Sequence, residues 1–336
     1  MKIPPLNRRE FLEAGLGLTA AGMLPAAAGA VPPPAKPGEK KTKVVDVTCP
    51  DWIVENDQGA QVRPQVVQAV IHEGLRLLTG KKEADAAMKE FVSSKETVAL
   101  KFNGLSRDFA GVNQAILTAL TELLQECGIE KKRILVLEGR GCKLDGYGKP
   151  DLTKATTYTV RNTVRGGKIV KTQTRLTRVV ESQADCIIDI PDLKNHGIAG
   201  ITGALKNLAY AGRTVMERPN VFHGGMCDPA MADINNLKPL REKVRLVLTQ
   251  GFKGVFDRGP STRNPGFHFR HDGMLFSADR VAVDRVHWEI VNAARKAKRR
   301  RPVRRVPSLE TAAKLGLGTN DLSRIDWIRK KLTRKV

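Results

Sequence analysis

Two hydrophobic rhythms alternate along this chain, and their alternation predicts its elements. Val67, Val70, Ile71, Gly74, Leu75 and Leu78 recur at helical spacing. Ile116, Leu117, Leu120, Leu123, Leu124 and Cys127 line one face of a second helix, and Gly128 stands where a left-handed C-cap would end it. Val281 to Ala294 forms a third amphipathic stretch, preceded by Asp279, whose carboxylate suits a helix cap. Short apolar runs lie between: 44–47, 97–102, 133–138, 186–190 and 244–248 read as strands. Strand, helix, strand, helix, strand with short connections predicts parallel pairing through right-handed crossovers. From about 149 to 178 the pattern becomes a Thr- and Val-rich alternation around Arg165-Gly166-Gly167, which predicts an inserted hairpin. The expected fold is α/β: a mostly parallel sheet flanked by helices, with an inserted β-hairpin lobe, in a single domain over 44–332.

The first thirty residues follow another logic. Asn7-Arg8-Arg9-Glu10-Phe11-Leu12 precedes a mildly apolar, Gly- and Ala-rich run, and Ala28-Gly29-Ala30 supplies a small-x-small cleavage pattern. The paired arginines followed by Phe11 and Leu12 resemble the twin-arginine address of proteins exported already folded. The apolar run is short of the ~20 strongly hydrophobic residues of a stable span. Residues 1–30 are therefore expected to be a twin-arginine signal peptide read by the translocation machinery, and 31–43 a Pro-rich linker. The mature protein, without a stable transmembrane segment, is expected in the periplasm or cell envelope of a bacterium.

The formal charge of the whole chain is +22, an excess that attracts anions at long range. For an exported protein this disfavours nucleic acid as a specific partner and favours a small anionic ligand or an anionic envelope polymer. Part of the excess is local: Lys296, Lys298, Arg299, Arg300, Arg301, Arg304 and Arg305 follow the third helix closely. The 5 cysteines are odd in number and contain no C-x-x-C pair, so neither a disulfide framework nor an iron–sulfur cluster motif is encoded.

Candidate chemistry gathers in 191–207, directly after a strand, at the carboxyl edge where open α/β sheets place ligands. Its glycines, Gly203 among them, allow close backbone approach, and Thr202 is placed to cap a helix whose free N–H groups would face an anion. Lys194, His196 and Lys206 bring cationic or titratable groups to the same segment. It is not a P-loop, because no Lys-Ser/Thr follows a glycine at the required spacing. Gly139-Arg140-Gly141 likewise fails as a dinucleotide fingerprint, with Leu144 where a third glycine belongs. Lys101 and Asn103 end a strand at the same edge. His223, Cys227 and Asp228, with the H-x-x-H pair His268 and His271, are ligand-type residues for a divalent metal, although their spacing matches no closed site. Asp233, Asp257, Asp279 and Asp284 are candidate hard-cation ligands or helix caps.

Lys101-Phe102-Asn103, the run from Ala184 to Gly197, Gly200-Ile201-Thr202-Gly203-Ala204-Leu205-Lys206-Asn207-Leu208 and Ser277 to Asp284 together resemble the domain of unknown function 362 family. The resemblance extends over about 43–332. It implies that Lys101, Asn103, Lys194, His196, Lys206 and Asn207 share one pocket. It identifies a lineage more than a reaction. Some relatives carry an additional iron–sulfur module of clustered cysteines, a cluster this sequence lacks. The leading expectation is a pocket for a small anionic metabolite or envelope group, with Lys194, Lys206 and the amides near Gly203 neutralising charge, Asn103 and Asn207 orienting the ligand, and His196 as candidate general acid or base. Binding without turnover fits the same residues. The alternatives are a metal-dependent hydrolase or transferase using His223, His268 and His271, and a basic envelope-associated structural protein using the 296–305 run.

Overall fold

A computed structural model describes residues 41–333 except 57–58, 106–109, 140, 165, 210–218 and 263. The expected signal peptide and most of the linker lie outside the described residues. In chain order the strands are β1 (Thr42–Thr48), β2 (Ile53–Asn56), β3 (Gly59–Val62), β4 (Val98–Phe102), β5 (Ile134–Leu137), β6 (Lys154–Thr163), β7 (Ile169–Thr177), β8 (Cys186–Ile190), β9 (Asp192–His196), β10 (Gly200–Thr202), β11 (Val244–Val255), β12 (His268–Phe269), β13 (Gly273–Ser277) and β14 (Ile325–Lys331). The helices are α1 (Pro64–Thr79), α2 (Ala84–Met88), α3 (Ala110–Glu126), α4 (Ala204–Leu208), α5 (Ala230–Asn235), α6 (Lys238–Lys243), α7 (Arg280–Ala297) and α8 (Pro307–Lys314).

The main sheet runs β14-β1-β13-β11-β8-β4-β5, with β9, β10 and β12 attached beside β11. The β11-β8-β4-β5 half is parallel, as the alternation of strands and helices predicts. The other half departs from the simple order. β13 runs antiparallel between β1 and β11, and β14 returns parallel to β1 at the outer edge. Sequence periodicity marks a strand but carries no information on its neighbour. The inserted lobe is the antiparallel hairpin β6–β7, turned through Gly166 and Gly167 at positive φ.

Strand alternation divides the core between two faces. Val98, Leu100 and Phe102 of β4 point with Ile188 and Ile190 of β8 into the cluster covered by α1 and α3. Helix α1 begins with Pro64, ends at Gly80 in the left-handed cap, and buries Val67, Val70, Ile71 and Leu75. It lies close to the sheet because a Cβ on Gly74 would stand 2.2 Å from the Phe276 ring. Ala99 and Ile187 face the opposite side, towards α4, α5 and α8, while Val44, Val247 and Leu275 meet α7. The same alternation sends Lys101 and Asp189 to that second face, at the carboxyl edge of the parallel strands.

Candidate functional site

Lys101 and Asp189 are register partners on β4 and β8, and both are 0% exposed. An ammonium group so far from water needs compensating partners. Lys101 Nζ donates to the Phe102 carbonyl at 2.6 Å, to Asn207 Oδ1 at 3.0 Å and to Glu138 Oε2 at 3.2 Å. Asn207 Nδ2 in turn donates to Asp189 Oδ1 at 2.7 Å and to the Lys101 carbonyl at 3.2 Å. Burial pushes the Asp189 carboxyl well above the ordinary range, against the lowering pull of Lys101. Its Oδ2 has no hydrogen-bond partner among the described residues.

After β8, Pro191 interrupts the strand and the chain resumes as β9, displaced to pair with β11. The glycine-rich segment thus opens as a hairpin, β9–β10, in which Lys194 lies opposite Thr202 and His196 opposite Gly200. Alternation along β9 places Asp192, Lys194 and His196 on one side while Leu193 enters the core beneath α7. Lys194 Nζ forms a buried ion pair with Asp192 Oδ2 at 2.9 Å and reaches Asn103 Oδ1 at 3.3 Å. His196 Nδ1 accepts from the amides of Ile198 and Ala199, both at 3.0 Å. That fixes the ring as a neutral imidazole with its proton on Nε2. Burial, then Lys206, His223 and Lys194, hold its pKa down to about 2. Its ring stacks on His223 with centroids 5.6 Å apart.

Lys206, on α4, approaches Cys227 Sγ at 3.8 Å, and burial lowers its pKa. The cap of this helix corrects the sequence reading. Gly203, not Thr202, occupies the cap position, and its backbone offers no side-chain acceptor. The Asp284 carboxylate of α7 takes that role, accepting from the Ala204 amide at 2.6 Å and the Leu205 amide at 3.0 Å. A Cβ on Gly203 would lie 2.0 Å from Asp284 Oδ1, so the glycine makes room for this internal anion rather than for a ligand. Burial raises the Asp284 pKa to about 7. Thr202 Oγ1 is left inside the site with no hydrogen-bond partner among the described residues.

The candidate residues therefore divide. Lys101 bonds with Asn207 and Lys194 with Asn103, as two hydrogen-bonded groups of one lysine-rich network region, and His196 and Lys206 act electrostatically on each other. The three histidines considered for metal do not converge: His223 stacks on His196, His268 contacts the Thr262 carbonyl and His271 pairs with Asp46 at 2.8 Å. Among the described residues no three His, Cys, Asp or Glu side chains are grouped as a metal site. Asp279 caps α7 as read, accepting from Val281 and Ala282. Asp233 pairs with Arg161 and Asp257 with Arg295, so both hold cationic side chains. Lys298, Arg299, Arg300 and Arg301 of the basic run are exposed beyond α7. No helix among the described residues is long and apolar enough to cross a membrane.

Sequence reasoning missed Glu138, Asp189, Asp192 and the cap role of Asp284. The first was legible in principle, as an acidic residue ending a strand at the same edge as Lys101. Asp192 and Lys194 are two apart, which on a strand means one face, but the glycines that follow conceal the strand.

Comparison with known proteins adds lineage. The model of a family described as a domain of unknown function (DUF362) matches residues 98–289, a stretch that contains every residue of this network. No curated protein matches the chain. A crystal structure of a Thermotoga maritima protein, a structural-genomics target, is 14% identical with a TM-score of 0.34, the match covering 62% of this chain and 54% of that one. The chain thus spans about half the length of that protein.

Proposed function

Since the chain belongs to the domain of unknown function 362 family, whose name specifies no reaction, we propose its function from its own site: it binds a small anionic metabolite or envelope group at the carboxyl edge of the sheet. The observation that carries this reading is the burial together of three lysines from separate segments, Lys101, Lys194 and Lys206, at 0%, 1% and 5% exposure. Concentrating ammonium groups away from water is costly unless negative charge meets them. Glu138 and Asp192 supply part of that charge, to Lys101 and Lys194. In this reading Lys194 and Lys206 neutralise the ligand, Asn103 and Asn207 hold the lysines in register, and Thr202 Oγ1 offers a further hydroxyl. His196 acts as a neutral Nε2–H donor, because its Nδ1 is occupied by two amides and its proton affinity is depressed. The α4 amides contribute no anion site, being satisfied by Asp284.

We propose also that residues 1–30 direct twin-arginine export, which puts this site in the periplasm or envelope and favours a phosphate- or carboxylate-bearing ligand met there. Calorimetric titration of the protein with inorganic phosphate and with malonate tests the binding reading. Lys206→Met should weaken the tighter of the two by about tenfold or more. Asp192→Asn/Lys194→Met, which removes both members of an ion pair and so avoids stranding a charge, should do the same. Unaltered affinity in both variants, or no binding of either anion to the wild type, would overturn it.

A further inference from the structure

A groove of about 500 Å³ opens between edge strand β14 and the second half of α7, lined in part by Asp46, His271, Glu289, Ile290, Trp327 and Arg329. That volume is typical of sites for small organic molecules. It shares no lining residue with the lysine network.

The polar groups of the groove differ in how they are satisfied. Both oxygens of Asp46 are occupied, Oδ1 by His271 Nε2 at 2.8 Å and Oδ2 by Trp327 Nε1 at 3.3 Å. Glu289 is paired with Arg285, one turn earlier on α7. The basic groups have no such partners. The Arg329 guanidinium stacks 3.7 Å above the Trp327 ring, and neither it nor Lys331, which also lines the groove, makes an ion pair among the described residues. The carboxylates are thus engaged within the protein while the cations remain available. Between them lie the ring of Trp327, Ile290 and the exposed Ala293. Because His271 gives its Nε2 proton to a carboxylate, its Nδ1 is left to accept a hydrogen bond.

We propose that this groove is a second ligand site, for a small organic acid with an apolar body. Arg329 and Lys331 hold the anionic head, and Trp327, Ile290 and Ala293 bury the body. His271, oriented by Asp46, accepts from a hydroxyl on the ligand. Apolar contact supplies affinity, and the charge at the lip sets the sign of the ligand.

The test is a fluorescence titration of the full-length protein with anilinonaphthalene sulfonate, a probe with an apolar body and an anionic head, followed by displacement with benzoate and with inorganic phosphate. The proposal predicts one saturable site, displaced by benzoate and not by phosphate. Arg329→Glu/Lys331→Glu reverses the charge at exposed positions, and Ala293→Trp fills the groove while keeping its charge. Each should weaken the probe by about tenfold or more, with the thermal melt unchanged. Undiminished binding in either variant, or displacement by phosphate as effective as by benzoate, overturns the proposal.

Discussion

Lys101 and Asn207, 106 residues apart, exchange hydrogen bonds in both directions: the ammonium donates to the amide oxygen at 3.0 Å, and the amide nitrogen donates to the Lys101 carbonyl at 3.2 Å. The same amide nitrogen holds Asp189 at 2.7 Å. One carboxamide therefore ties α4 to two parallel strands. Asn207→Ala would take one of three acceptors from a buried ammonium and the hydrogen-bond donor from a buried carboxyl. A loss of roughly 2–4 kcal/mol in urea unfolding is expected. A loss below about 0.5 kcal/mol would mean that the network is not what fixes α4 against the sheet.

Asp284 gives the protein a signed pH dependence. Its folded pKa of about 7 is raised above the ordinary aspartate value of 3.8. The folded state therefore binds more protons than the unfolded chain between those limits. The contribution of this group is fully present below about pH 4 and is lost as pH rises through about 7, up to an order of 4 kcal/mol. Chemical denaturation across pH 4–8 should show a fall in wild-type stability relative to Asp284→Asn. Parallel profiles for the two proteins would count against a raised Asp284.

For His196 the shift runs the other way. With its folded pKa pushed down to about 2, from an ordinary 6.5, the native ring stays neutral across physiological pH. The unfolded chain takes up that proton first, so this group costs stability as pH falls below about 6.5. Nitrogen-15 spectra of the imidazole should show the Nε2–H tautomer, unchanged from pH 8 to pH 5. A titration near pH 6.5 would restore the general acid–base role that the sequence suggested.

The proposed export depends on the paired arginines being read as an address. Arg8→Lys/Arg9→Lys should leave the precursor in the cytoplasm of a host with a twin-arginine system, as fractionation and immunoblotting would reveal. Processing and export undiminished by the substitution would remove the envelope from the proposal.

Residues in periodic elements were the legible part of this chain. Helical spacing marked α1, α3 and α7, and uninterrupted apolar runs marked β4, β5 and β8. Asp279 was readable as a cap because its partners, Val281 and Ala282, are adjacent in sequence. Asp284 was not, because the amides it caps lie at Ala204 and Leu205, about 80 residues away. The β9–β10 hairpin was hidden by its composition. Three glycines and two lysines between 191 and 206 suggest a solvated loop, yet Asp192 pairs with Lys194 two residues along the strand and lowers the cost of its burial. Antiparallel β13 was unreadable for a similar reason, since pairing direction is set by contacts remote in the sequence.

The most direct test of the central claim is to locate an anion. Crystals of the mature protein soaked in selenate, whose selenium scatters anomalously, would give its position without assumption about the ligand. A selenium peak about 4 Å from the ammonium nitrogen of Lys194 or Lys206 is predicted, absent in Asp192→Asn/Lys194→Met crystals. Peaks confined to the exposed arginines of the 296–305 run, with none at the buried lysines, would contradict the account.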